Sequence, residues 1–304
     1  MYDIIIIGGG AAGMSAAVYA GRGGMKTLVI EKLSCGGQMM KTYEIDNYPA
    51  FPDSPSGEEI SALMEKHARK YNVEFTAENV KEIICGNIKT VKTRKNEYTA
   101  KAVIFAAGAV PKKAGVKGEE ELAGAGVSYC ATCDGAFFKG KDTAVIGGGN
   151  TAFEDALYLS KLCGSVYILN RSEKFRAAAM LVEKAQNTEN IRIYKNTVAE
   201  AFEGSGILNA VNIKNVLTNE TSRLEVSGVI VAVGVSPVSE LAVKCGVITD
   251  ENGFIKTNTQ LETNIKGFFA AGDVRTTPLR QVVTAAADGA VAAVSAINYI
   301  NTGI

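Results

Sequence analysis

Ile4-Ile5-Ile6-Ile7-Gly8-Gly9-Gly10-Ala11-Ala12-Gly13 stands near the head of a chain of 304 residues. The apolar run from Asp3 to Ile7 is continuous rather than alternating, so it reads as a strand buried on both faces of a parallel sheet. Gly8, Gly10 and Gly13 follow in G-x-G-x-x-G spacing. Ala11 to Ala20 is rich in small residues and permits a helix. Thr27 to Ile30 is a second strand, and Glu31 closes it 18 residues after Gly13. Strand, glycine turn, helix, strand and acid together form a dinucleotide-binding βαβ unit. Gly8 makes the turn, Gly10 admits a pyrophosphate to the helix N-terminus, and Gly13 lets helix and strand pack closely. Glu31 is placed to accept hydrogen bonds from ribose hydroxyls.

The pattern recurs. Thr143 to Ile146 is again a β-branched strand, and Gly147, Gly149 and Ala152 form G-x-G-x-x-A, 139 residues after the first turn. Asn150 and Thr151 open the helix that runs to Leu162, and Ser165 to Leu169 is the next strand. No acid stands at its end. The chain instead reads Asn170-Arg171-Ser172-Glu173-Lys174-Phe175-Arg176, and Arg171 and Arg176 could meet a 2′-phosphate. Two dinucleotide sites on one chain imply a duplicated architecture.

Between and around these units the punctuation is legible. Gly57 to Tyr71 has helical spacing of Ile60, Leu63, Met64 and Ala68. Val80 to Tyr98 suggests a small antiparallel sheet. Val103 to Phe105 is a buried strand, and Pro111 with the glycines after it marks a crossing. Ile191 to Val231 is a second strand-rich stretch. Gly253 to Lys256 reads as a strand. Another apolar strand ends at Gly272-Asp273, which suits a close backbone approach and a carboxylate aimed at polyol hydroxyls. Pro278 to Tyr299 is an Ala-rich helix opened by Leu279-Arg280-Gln281. The expected fold class is α/β, with two Rossmann-like, three-layer ββα domains. Residues 1–112 and 245–304 form one domain, and 113–244 are inserted into it.

Cys130-Ala131-Thr132-Cys133-Asp134 lies shortly before the second glycine turn. A structural zinc site would need a second ligand pair. The other cysteines (Cys35, Cys85, Cys163 and Cys245) are scattered, and His67 is the sole histidine. Two thiols at this spacing therefore read as a redox pair, with Asp134 the nearest acid to protonate a departing thiolate. His67 reads as an ordinary surface or packing residue, and with no other histidine available a Ser-His-Asp triad is excluded. Lys and Arg number 32 against 32 Asp and Glu, so bulk charge argues against a nucleic-acid or membrane-surface partner. No uninterrupted apolar run approaches a bilayer span. The start of the chain lacks the basic region of a signal peptide, and the sparse cysteines fit a reducing cytoplasm.

Taken together, these residues resemble the low-molecular-weight bacterial thioredoxin reductases over essentially the full length. The resemblance rests on Gly8–Gly13, Gly36-Gly37-Gln38, Ile45-Asp46-Asn47-Tyr48-Pro49, Cys130–Asp134, Gly147–Ala152 with Phe153-Glu154-Asp155-Ala156, and Gly272-Asp273-Val274 with Arg280-Gln281 and Thr284–Ala287. It implies FAD in the first domain, a pyridine nucleotide in the second, a homodimer, and thioredoxin as the disulfide substrate. It implies that Cys133 faces the flavin, that Cys130 attacks thioredoxin and that Asp134 is the acid. It further implies that Gly37, Gln38, Asn47, Asp273, Arg280 and Gln281 contact FAD. The inserted domain would rotate about the two crossings to present nicotinamide and dithiol in turn.

One departure bears on the donor. NADPH-dependent members carry His-Arg-Arg-x-x-x-Arg where this chain has Asn170 to Arg176, which leaves NADPH, NADH and reduced ferredoxin open. A reductase serving another disulfide protein, such as a peroxiredoxin or a glutaredoxin-like protein, is the nearest alternative. A non-catalytic FAD-binding redox sensor is the distant one.

Overall fold

The computed structural model describes residues 1–42, 45 and 47–303. Asp46, part of the motif around Asn47, lies outside them. In chain order the elements are β1 (Tyr2–Ile7), α1 (Ala11–Arg22), β2 (Thr27–Glu31), α2 (Gly57–Arg69), β3 (Glu74–Ala77), β4 (Val80–Cys85), β5 (Lys89–Thr93), β6 (Glu97–Phe105) and β7 (Ala109–Pro111). There follow β8 (Val127–Ser128), α3 (Ala131–Asp134), β9 (Thr143–Ile146), α4 (Asn150–Leu159), β10 (Val166–Leu169), α5 (Ala179–Gln186) and β11 (Ile191–Tyr194). Next come β12 (Thr197–Gly204), β13 (Leu208–Asn215), β14 (Thr221–Glu225) and β15 (Gly228–Val231). The chain ends with β16 (Val235–Pro237), α6 (Glu240–Lys244), β17 (Phe268–Ala270) and α7 (Val282–Thr302). It divides into two compact units, residues 1–110 with 236–304, and residues 111–235. The return crossing thus falls at Ser236, ahead of the expected Cys245, because α6 packs on β4 of the first unit. The two crossings, β7 and β16, pair with each other as a ribbon.

In the first unit the sheet order is β3-β2-β1-β6-β5-β4, with β17 also on β6. β3, β2, β1, β6 and β17 run parallel, whereas β5 pairs antiparallel with both β6 and β4. The expected antiparallel sheet therefore shares β6 with the parallel one. The isoleucine run explains the layering, since side chains alternate faces along a strand. Ile4 and Ile6 pack with alanines of α1 and α7, while Ile5 and Ile7 pack with Val91 of β5, Ile83 of β4 and Ala242 of α6.

Helix α2 starts where a capping box forms: Ser56 Oγ accepts from the Glu59 amide at 3.2 Å, and Glu59 accepts from the Ser56 amide at 2.8 Å. It ends two residues short of Tyr71, and Leu63, expected on its packing face, is exposed. Gly253 to Lys256 forms no strand. Ile255 is fully buried but makes only isolated bridges to Thr249 and Arg275. Helix α7 begins at Val282 rather than Pro278 because Gln281 is its N-cap, with the Gln281 amide donating to Thr284 Oγ1 at 3.1 Å. Among the described residues α7 alone is long and apolar enough, by length and composition, to cross a membrane. Its apolar residues are valine, isoleucine and alanine, and Ala292, Ala293 and Ala296 are buried within the unit.

In the second unit β11-β10-β9-β15-β8 form an all-parallel sheet, and β12-β13-β14 form an antiparallel one. Ala152, Phe153, Ala156 and Leu159 are the buried face of α4. The helix stops at Leu159, short of the expected Leu162, and the next strand begins at Val166. Among the described residues His67 is exposed, against Tyr71.

Candidate functional site

Cys130 caps the short helix α3, and Cys133 sits within it. The two sulfurs are joined as a disulfide, with Cα atoms 5.3 Å apart. Ala131 between them is buried in the core beside Phe138 and Phe153, which anchors the turn while both cysteines stay partly exposed. Thr132 Oγ1 lies 3.5 Å from Cys130 Sγ. Asp134 ends the helix. The Ser128 hydroxyl donates to Asp134 Oδ2 and also accepts from the Cys130 amide at 3.1 Å. Burial raises the Asp134 pKa above the ordinary carboxyl range, opposed by the Ser128 hydrogen bond. A carboxyl held so can store a proton near a thiol and release it. Ser128, two residues before Cys130, was not singled out by sequence reasoning; the pairing of β8 with β15 fixes its backbone there.

The same unit carries the second glycine turn. Gly147 adopts a positive φ of 151°. Gly148 has no room for a side chain, because a Cβ there would overlap Asn170 Oδ1. Asn170 is only 4% exposed. Its amide donates to the Ser172 carbonyl at 2.6 Å and the Lys174 carbonyl at 3.3 Å. The Arg176 amide donates to the Gly148 carbonyl at 2.7 Å, and Asn150 Oδ1 accepts from the Ala178 amide at 2.8 Å. Asn170 is therefore the brace that folds residues 170–178 onto the turn. Arg171 and Arg176 are exposed, and neither makes an ion pair among the described residues. Glu173 is drawn off by Lys195 Nζ and Asn196 Nδ2, each at 2.8 Å. Gly149 caps α4, and Thr151 stands in its first turn, exposed.

Asp155, two turns along α4 from the glycines, had no assigned role. Burial, with Glu154 beside it, pushes its pKa up to about 7. Helix propensity carries no signal for this, because the burial is a property of tertiary packing.

In the first unit Gly10 caps α1. A Cβ on Gly13 would overlap the Gly8 carbonyl oxygen, the close approach that its position demands. Glu31 Oε2 accepts from the Gly9 amide at 2.8 Å and Oε1 from the Lys32 amide at 2.7 Å, which fixes the carboxylate at the end of β2. The Gly36 amide donates to the Gly9 carbonyl at 2.7 Å, and Gly37 lies backbone to backbone with Gly10. Gln38 follows in a single 3₁₀ turn, exposed. Asn47 Nδ2 donates to Gln281 Oε1 at 3.1 Å across 234 residues of sequence. Gly272 packs against Ala12 of α1 and donates to Asp288 Oδ2 at 3.0 Å. Asp288 in turn holds Arg275 with two bonds of 2.6 Å.

Burial pushes the Asp273 pKa up to about 6, with Arg280 opposing and Asp288 adding to the shift. Arg280 lies over the Phe254 ring, 4.2 Å from its centre, and its buried Nε has no hydrogen-bond partner among the described residues. An orphaned donor of this kind costs stability unless a ligand accepts from it. Glycine turn, fixed acid, Asn47–Gln281 and the unpaired Arg280 thus fit a dinucleotide with polyol and carbonyl acceptors.

The model of the pyridine nucleotide-disulphide oxidoreductase family matches residues 2–289. A thioredoxin reductase of Bacillus subtilis (strain 168) is 46% identical over 302 residues, covering 99% of this chain and 95% of that one. A thioredoxin reductase of Peptoclostridium litorale is 44% identical over 307 residues, covering 99% and 97%. Among solved structures, the thioredoxin reductase from Streptococcus pyogenes MGAS5005 is 39% identical, with a TM-score of 0.92 and 99% of each chain covered. With a disulfide beside one glycine turn, a second turn in the other unit and relatives of this closeness, the chain belongs to the pyridine nucleotide-disulphide oxidoreductase family.

Proposed function

We propose that the protein is a thioredoxin reductase, carrying two electrons from a reduced nicotinamide dinucleotide through FAD and the Cys130–Cys133 disulfide to oxidised thioredoxin. The observation that carries this reading is the closed Cys130–Cys133 disulfide with the raised-pKa Asp134 beside it.

The unit of residues 1–110 and 236–304 would hold FAD, through Gly8, Gly10, Gly13, Glu31, Gly37, Gln38, Asn47, Gly272, Asp273, Arg280 and Gln281. Bound there, FAD supplies the two-electron exchange between a nicotinamide and a dithiol. The unit of residues 111–235 would hold the nucleotide through Gly147, Gly149, Asn150, Thr151, Arg171 and Arg176. Once reduced, Cys130 as thiolate attacks a sulfur of the thioredoxin disulfide and forms a mixed disulfide. Asp134 gives its proton to the departing thiolate. Cys133 then attacks Cys130 Sγ, which re-forms the intrachain disulfide and releases the second thiol.

The exposed arginines and the diversion of Glu173 to Lys195 and Asn196 support NADPH as the donor. The crossings at β7 and β16 are the proposed pivots for presenting nicotinamide and dithiol in turn. Exposed Val283, Val291 and Val294 at one side of α7 support a homodimer. Four free cysteines support a reducing compartment.

Purified protein loaded with FAD should turn over NADPH continuously only when oxidised thioredoxin is added. Turnover with a peroxiredoxin or glutaredoxin-like disulfide but not thioredoxin would move the assignment to another acceptor. No turnover with any donor or acceptor would favour a redox sensor. Sedimentation of the holoenzyme should give twice the mass of one chain.

A further inference from the structure

Cys85 and Cys245 are 160 positions apart in the sequence, yet the first unit brings them together. Cys85 ends β4, and Cys245 is the C-cap of α6, which packs on β4. Period-two alternation puts Cys85 on the same face as Ile83, the face that α6 covers. The Cys245 thiol donates to the Ile83 carbonyl at 2.9 Å. Cys85 and Cys245 pack against the same buried cluster. Both sulfurs are only half-buried.

The surroundings differentiate the two thiols. Cys85 pairs across the β4–β5 turn with Lys89, and directly opposed residues lie side by side on one face. Lys89 is almost wholly buried, with its ammonium donating to the Gly86 carbonyl at 2.8 Å. Cys85, Lys89, Lys101 and Lys266 line a cavity of about 600 Å³ that opens to solvent. The neighbouring Cys245 thiol and the charge of Lys89 lower the Cys85 pKa against the effect of burial, while Cys245 is raised. The remaining free thiols lie the other way. Burial pushes Cys35 up to about 12 and raises Cys163. A thiol beside a buried lysine, reached through an open cavity, with a second thiol packed on the same face, is the arrangement in which sulfenic acid forms and is resolved.

We propose that Cys85 and Cys245 are a second dithiol, remote in sequence from Cys130–Cys133, that hydroperoxides oxidise to a disulfide. The Cys85 thiolate attacks the distal oxygen of the peroxide. The O–O bond breaks, the leaving alkoxide or hydroxide takes a proton, and Cys85 becomes a sulfenic acid. Cys245 Sγ then attacks Cys85 Sγ and forms the S–S bond, and the sulfenic oxygen leaves as water with the Cys245 proton. The peroxide is the two-electron oxidant, and the two thiols supply the electrons.

The test treats oxidised holoenzyme, whose Cys130–Cys133 pair is already closed, with hydrogen peroxide. Thiols are then counted under denaturing conditions and the peptides mapped. The count should fall from four to two, with one peptide pair joined through Cys85 and Cys245. In Cys245→Ser a dimedone tag should collect on Cys85. In Cys85→Ser the Cys245 thiol should stay reduced at the same peroxide dose. A wild-type count that stays at four overturns the proposal. So does a dimedone tag on Cys245 in the Cys85→Ser protein, or bridging that occurs only between molecules.

Discussion

Replacing Arg171 and Arg176 tests how the second unit reads its nucleotide. Both side chains are exposed and unengaged by acids among the described residues, and Glu173 between them is held by Lys195 and Asn196. Their charge is therefore available to a 2′-phosphate. A hydrogen bond to a charged group contributes about 1.5–3 kcal/mol, and full exposure in salt favours the lower end. About 1.5 kcal/mol corresponds to roughly a tenfold change in affinity. Each of Arg171→Ala and Arg176→Ala should raise the NADPH concentration for half-maximal flavin reduction about tenfold. The double variant should reach up to a hundredfold if the two act independently. NADH lacks the phosphate, so its half-maximal concentration should stay within about twofold. The assay is anaerobic flavin reduction followed by stopped flow, each variant against both nucleotides. Equal losses with NADPH and NADH, or no loss with either, would refute the reasoning.

Three further outcomes follow from the geometry. Gly13→Ala forces a Cβ into the Gly8 carbonyl, so the first turn must open. Stability should fall by about 1–3 kcal/mol in denaturant melts, and FAD should be lost on gel filtration; a variant that keeps both would contradict the close approach. Asp134→Asn removes the proton donor, so thioredoxin reduction should slow by about 10²–10⁴-fold while flavin reduction by nucleotide is unchanged. The wild-type rate should also fall as pH rises through the elevated pKa, a limb that the variant lacks. Asp155 has a folded pKa of about 7 against 3.8 for the free group. Below the lower value both states are protonated and burial carries no charge penalty. The penalty grows between the two values to at most about 4 kcal/mol. Asp155→Asn should accordingly raise Tm more at pH 8 than at pH 4, and equal shifts at both would argue against a buried titrating carboxyl.

What could be read from the sequence was what local spacing encodes. Ile4 to Gly13 specifies a strand, a turn and a helix within ten residues, and Cys130 to Asp134 keeps two thiols and an acid within one helical turn. The antiparallel stretch was legible too, though not that β6 continues it into the parallel sheet. Features made by distant packing were not legible. Cys85 and Cys245 looked scattered because only the docking of α6 on β4 joins them. Asp155 looked like an ordinary helix residue, and only tertiary packing buries it. Asn170 looked like a missing phosphate contact, whereas its amide braces the loop that carries both arginines. Gly253 to Lys256 has the composition of a strand but finds no edge to extend, and Ile255 is buried through bridges alone.

The central claim is that the Cys130–Cys133 pair relays electrons to an external disulfide. Cys130→Ser tests it most directly, in one anaerobic experiment that follows flavin reduction by NADPH and then thioredoxin reduction. The account predicts that the flavin is reduced and thioredoxin is not. Thioredoxin reduced at the full wild-type rate by the Cys130→Ser protein would contradict it.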